Sequence, residues 1–299
     1  MKFVLTLLVD PAAPSLSDPQ VEIAAAALTE TGAVVGNADW LADGIACDLP
    51  FDSVEPDIAS ASVRQYLADA PVDMFAQASA GRRKLLLVAD MDSTIIGQEC
   101  IDELADFAGR REDVAKITDR AMRGELDFAE ALRARAKMLR GLPFEEMQRA
   151  YDERVRLNAG ARTLVQTMRT AGAYTALVSG GFSFFTSRVR EATGFDIDLA
   201  NELELRSGVV TGEVIPPILD RSAKLAALTR LSAEHRLDLS QTLAVGDGAN
   251  DIAMIQAACL GAAYHARPLV AAAAHARIDH GDLTALLYLQ GYRRAEFVE

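Results

Sequence analysis

Four short clusters in this chain hold residue types that can do chemistry. In the first, Leu85-Leu86-Leu87-Val88-Ala89 runs straight into Asp90-Met91-Asp92-Ser93-Thr94. Two aspartates at such close range repel each other unless a cation or a shared proton relieves them, so the pair points to metal binding or acid–base work. A strand ending in a polar turn and helix cap would use the same residues, since short motifs match by accident. The second cluster is Ser179-Gly180-Gly181, which follows Thr175-Ala176-Leu177-Val178. A hydroxyl and glycine amides ahead of a helix starting near Phe182 would cradle phosphate, because backbone donors and the helix dipole favour negative charge there, although Ser-Gly-Gly taken alone is also an ordinary turn. The third is Lys224, in the first turn of a helix over Ala223–His235, where the dipole prefers anions. A nearby anion would repair that mismatch, although a solvated surface lysine accounts for the residue more simply when it is taken alone. The fourth is Val245-Gly246-Asp247-Gly248-Ala249-Asn250-Asp251, whose oxygen donors are of the hard type that magnesium accepts. The spacing excludes an EF-hand, because Ala249 falls at the third loop position and no glutamate at the twelfth, while a plain turn would also use glycine and aspartate.

Each cluster falls where an aliphatic run meets a loop. From Lys84 onward, strands alternate with helices, as in a parallel sheet covered on both faces. The strands are expected at Leu85–Ala89, Tyr174–Val178, around Asp196–Leu205, at Thr242–Val245 and at Leu260–Tyr264, with a hairpin turn across Arg206–Gly212. In open α/β sheets ligands collect beyond the carboxyl ends of the strands, which is where all four clusters would lie. Between the first two of these strands, residues 99–155 have only helical patterning, with breaks at Gly109, Gly124, Gly141 and Pro143. That is too long for one crossover helix, and an inserted helical subdomain is expected. Within it Phe128, Leu132, Arg135 and Leu139 share one face, placing an arginine in an apolar stripe. A guanidinium on such a face wants a carboxylate, unless it snorkels from the stripe's edge.

The order Asp-x-Asp-x-Thr, Ser, Lys, Gly-Asp-Gly-x-x-Asp resembles the haloacid dehalogenase superfamily of aspartate-nucleophile phosphatases over residues 84–299. The insertion is similar to that of the phosphoserine phosphatase family, through Glu99 after Asp92-Ser93-Thr94 and through Met122-x-Gly124-x-x-x-Phe128-x-x-x-Leu132-x-x-Arg135. The resemblance implies hydrolysis of O-phosphoserine to serine and phosphate, the last step of phosphorylated serine biosynthesis, with Mg2+ as cofactor. It implies Asp90 as nucleophile and Asp92 as acid and base, with metal held by Asp90, Asp247 and the backbone carbonyl of Asp92. Ser179, Gly180 and Lys224 would bind phosphate, and Asp251 would orient Lys224 or a metal-bound water. Glu99 would take the substrate ammonium and Arg135 its carboxylate, with Met122, Phe128 and Asn250 as further contacts. The alternative within the superfamily is a phosphatase for another small metabolite, or a phosphotransferase to an alcohol such as homoserine.

The first 76 residues carry twelve acidic side chains against two basic ones, which sets them apart as a separate unit in a 299-residue chain of net charge -13. Strands at Phe3–Val9, Ala33–Asn37, Ile45–Leu49 and Val72–Phe75, with helices over Pro19–Thr31 and Asp57–Asp69, give the β-α-β-β-α-β order of a ferredoxin-like sandwich. In element order it resembles ACT-like regulatory domains. A regulatory or assembly role follows, with a homodimer and an amino-acid effector as its implied partners. Residues 77–83 read as the linker. The acidity opposes nucleic acid and anionic membranes as partners. Cys47, Cys100 and Cys259 are isolated and odd in number, arguing for a reducing compartment without a disulfide framework or a zinc site. Lys2 and the apolar residues after it imitate a signal peptide, but Asp10 ends the run early and no small-x-small cleavage site follows. A first strand and a cytoplasmic location are the expectation, since no apolar run reaches the ~18 residues of a membrane span.

Overall fold

The structure is a computed structural model that describes residues 1–123 and 125–299, with Met122 described in its backbone alone. Two expectations for the cap signature, the Met122 side chain and Gly124, therefore lie outside the described residues.

The N-terminal unit contains β1 (Phe3–Leu8), α1 (Asp18–Glu30), β2 (Val34–Val35), β3 (Asp39–Ala42), β4 (Ala46–Asp52), α2 (Pro56–Tyr66) and β5 (Asp73–Ala78). Its antiparallel sheet runs β2-β4-β1-β5, with β3 paired to β4. Alternation along β1 explains its two faces. Phe3, Leu5 and Leu7 pack in the core that also takes Ala24 and Leu28 of α1 and Ala59 and Val63 of α2. Leu8 joins the core of the larger unit instead.

The strand β3 is absent from the expected order. An Asp43-Gly44 turn, with Gly44 at φ 68° and Ile45 N–H donating to Ala42 O, folds it back on β4 as a hairpin. The expected linker also begins too early, because β5 continues through Ala78. Nor is it loose. Arg82 within it bonds the Asp48 carboxylate at 2.5 Å and the carbonyls of Tyr288 and Leu289, and the Gln77 side chain donates to Leu289 O at 2.6 Å. On the same interface the buried Asp73 carboxylate accepts the backbone N–H groups of Asp279, His280 and Gly281 at 2.8–3.0 Å.

The larger unit continues with β6 (Leu86–Ala89), α3 (Cys100–Phe107), α4 (Arg111–Met122), α5 (Phe128–Met138), α6 (Phe144–Arg154), α7 (Ala161–Thr170) and β7 (Tyr174–Phe182). Then follow α8 (Ser183–Thr193), β8 (Ile197–Arg206), β9 (Val209–Ile215), α9 (Ser222–His235), β10 (Thr242–Gly246) and α10 (Ile252–Ala257). The chain ends with β11 (Leu260–Tyr264), α11 (Pro268–Ala273), β12 (Ala276–Ile278) and α12 (Ala285–Leu289). The sheet order is β12-β11-β10-β6-β7-β8-β9, parallel except at the β8–β9 hairpin. Every residue of β6 is buried, as a strand covered on both faces requires. The three-residue β12 was not expected from the sequence. It pairs in parallel with β11 from Ala262 to Tyr264.

The insertion folds as the helices α3 to α6, here called the cap. Its two connections to the sheet are laced together, with Gly97 N–H donating to Arg156 O at 3.1 Å and Asn158 N–H to Ile95 O at 2.9 Å. The tip of the β8–β9 hairpin docks on the cap through reciprocal bonds of Gly141 and Leu142 with Val210. Helix α5 is set by a reciprocal cap. Glu130 N–H donates to Asp127 Oδ1 at 2.7 Å, and Asp127 N–H to Glu130 Oε2 at 3.0 Å.

Candidate active site

The central strand β6 lies between β10 and β7. Sheet order therefore brings three sequence-distant carboxyl ends side by side: Asp90 after β6, Ser179 on β7, and Asp247 after β10. The chain leaves β6 through a single tight turn at Met91–Ile95, in which Ser93 takes φ 54°. A non-glycine residue in this region is uncommon and marks a constrained turn. Here it aims two side chains. Ser93 Oγ donates to Glu99 Oε1 at 2.8 Å, and the Asp92 carboxylate reaches the first turn of α3, accepting from Cys100 N–H at 2.8 Å. The other oxygen of Asp92 accepts from Ser179 Oγ at 3.0 Å.

Lys224, in the first turn of α9, is 3% exposed and lies 2.6 Å from Asp90 Oδ1 and 2.5 Å from Asp251 Oδ1. The anion expected near this lysine is thus a pair of carboxylates. Burial alone would pull Lys224 down, yet the two carboxylates push it above its ordinary range. Burial pushes Asp90 well above the carboxylate range, and Asp251 pushes it further against the pull of Lys224. Burial also raises Asp92, opposed by its bonds to Cys100 and Ser179. Asp251 accepts from Lys224 through one oxygen, and its other oxygen accepts from Gly248 N–H at 3.0 Å. Carboxylate oxygens of Asp90, Asp247 and Asp251 gather within 4.8 Å of one another. One buried ammonium does not balance these anions, and hard oxygen donors so placed fit a divalent cation such as magnesium. The Asp92 carboxylate is not one of that group.

The second cluster differs from expectation. Strand β7 runs past the expected end at Val178 through Ser179-Gly180-Gly181 to Phe182, while α8 starts at Ser183, where a helix beginning near Phe182 was expected. The reason is Asn201 on β8, whose side-chain N–H donates to Gly180 O at 2.9 Å and holds the segment extended. Ser179 Oγ in turn accepts from Gly181 N–H at 2.9 Å.

Beyond these residues is a cavity of about 420 Å³ between the sheet edge and the cap. From the sheet side Asp90, Asp92, Ser179, Gly180, Asp247 and Asn250 line it; from the cap side, Glu99, Phe128 and Arg135. Lys224 and Asp251 do not, being packed behind Asp90. The surrounding protein, and next Asp92, push the Glu99 carboxyl up to about 7. Arg135 is half-buried, and its Nε makes only a long bond of 3.4 Å to Ala131 O. No carboxylate among the described residues pairs with it, so the partner its stripe position called for is not supplied by the chain.

Sequence reasoning missed Ile101, Asp102, Thr118 and Arg267 in the cavity wall. Arg267 follows β11, so the carboxyl-edge rule could have found it. The other three belong to cap helices and had no local signal.

A family model for haloacid dehalogenase-like hydrolases matches residues 87–256. A phosphoserine phosphatase of Streptomyces coelicolor is 40% identical over 276 residues, covering 91% of this chain and 67% of its own length. A solved haloacid dehalogenase family hydrolase of Salmonella enterica serovar Typhi superposes with a TM-score of 0.83 at 26% identity, covering 96% of this chain and 98% of its own. A solved phosphoserine phosphatase with substrate bound is 37% identical with a TM-score of 0.64, covering 69% of this chain and 98% of its own. No helix among the described residues is long and apolar enough to cross a membrane. The catalytic motifs, the fold and these similarities converge: the chain belongs to the haloacid dehalogenase-like hydrolase family and, within it, to the phosphoserine phosphatases.

Proposed function

We propose that this chain hydrolyses O-phosphoserine to serine and phosphate through an aspartyl-phosphate, with magnesium bound at the sheet edge. The observation that carries the reading is the cavity itself. The Asp90 carboxylate faces a cap that offers two acids, Glu99 and Asp102, and one guanidinium, Arg135, with which no carboxylate among the described residues pairs. A zwitterionic phosphate monoester meets opposite charge at both ends there.

Asp90 attacks phosphorus in line as the bond to the serine oxygen breaks. Asp92 gives that oxygen its proton, a role favoured by the burial that raises its carboxyl. A water then attacks the aspartyl-phosphate, Asp92 takes its proton, and phosphate leaves with Asp90 restored. Ser179 Oγ, within 3.0 Å of Asp92, turns to the phosphoryl oxygens together with the Gly180 amide. Lys224 holds Asp90 in place and offsets the charge building on the phosphoryl group. Asp90, Asp247 and the Asp92 carbonyl would hold magnesium, which supplies the positive charge that lets a carboxylate approach a phosphate dianion. Glu99 takes the ammonium and Arg135 the carboxylate. Phe128 closes over Gly180, and Asn250 supports the phosphate end. The cap at 99–155 selects substrate, and the unit at 1–76 serves regulation or assembly, in a homodimer or with an amino-acid effector. Calorimetric titration of the full chain with amino acids tests the effector role; no heat with any of them removes it.

The decisive assay measures phosphate release from both phosphoserine enantiomers, phosphothreonine and an aryl phosphate, with and without magnesium. Preferred turnover of phosphoserine that chelation abolishes is expected. Equal turnover of all four substrates, or transfer of the phosphoryl group to an added alcohol in place of water, overturns the reading.

A further inference from the structure

The cap wall carries a polar group for which the roles above leave no use. Thr118, on α4, lines the cavity, and its Oγ1 is buried without a hydrogen-bond partner among the described residues. A helical threonine commonly donates to the carbonyl four residues back, as Thr29 and Thr193 do here. Thr118 does not. Leaving a buried hydroxyl unsatisfied costs free energy, and an orphan of this kind in a cavity wall calls for a ligand atom.

The surroundings say which atom. Helix α4 packs against α5, the helix that presents Arg135 to the same cavity. Among the described residues Arg135 also lacks an acceptor beyond its long bond to Ala131 O. Two unsatisfied donors on neighbouring helices, both carried by residues of the cavity wall, are completed together by one anion with several lone pairs once the Thr118 side chain turns its buried hydroxyl to it. Acceptors for a cation are already provided elsewhere in the wall by Glu99 and Asp102.

We infer that Thr118 Oγ1 donates a hydrogen bond to the substrate carboxylate held by Arg135, making Thr118 a specificity residue for α-carboxylated phosphate monoesters. This rests on the proposed amino-acid phosphate substrate. It adds a direction to that reading: the guanidinium sets the charge, and the hydroxyl fixes how the carboxylate lies in its plane.

The test uses Thr118→Val, which keeps the shape and removes the hydroxyl, and Thr118→Ser, which keeps the hydroxyl. Steady-state kinetics are measured on O-phosphoserine, on O-phosphoethanolamine, which retains the ammonium but lacks the carboxylate, and on an aryl phosphate. For Thr118→Val, kcat/KM on phosphoserine is expected to fall about tenfold through KM, the scale of one hydrogen bond to a charged group. The other two substrates change less than about twofold, and Thr118→Ser recovers most of the loss. Unchanged phosphoserine kinetics in Thr118→Val, or equal losses on all three substrates, overturn the assignment. So does an equal loss on phosphoethanolamine alone, which would make the ammonium the partner. The wild type separates this from failure of the parent reading: without a preference for phosphoserine over the aryl phosphate, both fall. With that preference and an indifferent Thr118→Val, only Thr118 falls.

Discussion

The two walls of the cavity are built on opposite principles. On the sheet side each of the three lining aspartates already has a partner: Asp90 shares Lys224 with Asp251 behind it, Asp92 has Ser179 and the Cys100 amide, and Asp247 accepts from Thr94 Oγ1 at 3.2 Å. On the cap side, among the described residues, Arg135 has only its long bond to Ala131 O and the Thr118 hydroxyl has no partner. Preorganised charge suits a reaction whose transition state must be met without reorganisation. Unsatisfied donors suit recognition, because a ligand lacking the matching group leaves them unpaired and is rejected. The sheet edge would therefore govern whether any phosphate monoester reacts, and the cap would govern which one.

The largest effect that can break this division is at the proposed nucleophile. Asp90→Asn keeps the shape of the turn and is expected to lower kcat by at least roughly 10³-fold on phosphoserine and on an aryl phosphate alike. Mass spectrometry of the variant guards against deamidation back to aspartate. If the variant still turned over one of the two substrates at more than a few per cent of the wild-type rate, the sheet edge would not be the common site of chemistry.

Arg135→Ala sharpens the other half of the comparison. Loss of a bidentate partner for a carboxylate is expected to cost about 100-fold in kcat/KM on phosphoserine. An aryl phosphate, having no carboxylate to hold, should lose less than about fivefold. Comparable losses on the two substrates would return Arg135 to a purely structural place in α5.

The same contrast explains what was readable beforehand. Asp90, Ser179 and Asp247 sit at the carboxyl ends of buried strands, where an aliphatic run makes both the strand and its end visible in sequence, and β6 has that run in full. Lys224 was visible as a cation at the wrong end of a helix, and the two carboxylates at 2.5 and 2.6 Å are its reason. The cap wall is assembled across helices, so from local pattern only Arg135 announced itself, through the apolar stripe of its own helix, while Glu99, Met122 and Phe128 came from the resemblance alone. Thr118 and Asp102 acquire their meaning from helix packing that no local pattern encodes. In the fold, β3 and β12 escaped because strands of four and three residues are too short for periodicity to register. Arg82 looked like a linker residue because its partners, Asp48 and the carbonyls of Tyr288 and Leu289, lie far away in sequence.

A pair of glycines tests the rigidity that the comparison assumes. At Gly246, a Cβ would collide with the side chain of Asp251, which Lys224 and the Gly248 amide hold in place and which has no exposed surface. Gly246→Ala must therefore displace the carboxylate or the strand end, and overpacking of this kind costs about 2 kcal/mol. A lower melting temperature and reduced kcat on every substrate are expected. At Gly180, a Cβ would come 3.0 Å from the tip of the Phe128 ring, which belongs to the half-buried face of the cap. A ring can swing away, so Gly180→Ala should leave the melting temperature within about 2 °C and raise KM by roughly threefold. Calorimetric melts with kinetics on phosphoserine and an aryl phosphate read both variants. If Gly180→Ala destabilised the protein as much as Gly246→Ala, the cap would be as fixed as the sheet edge, and selection by an adjustable wall would have to be abandoned.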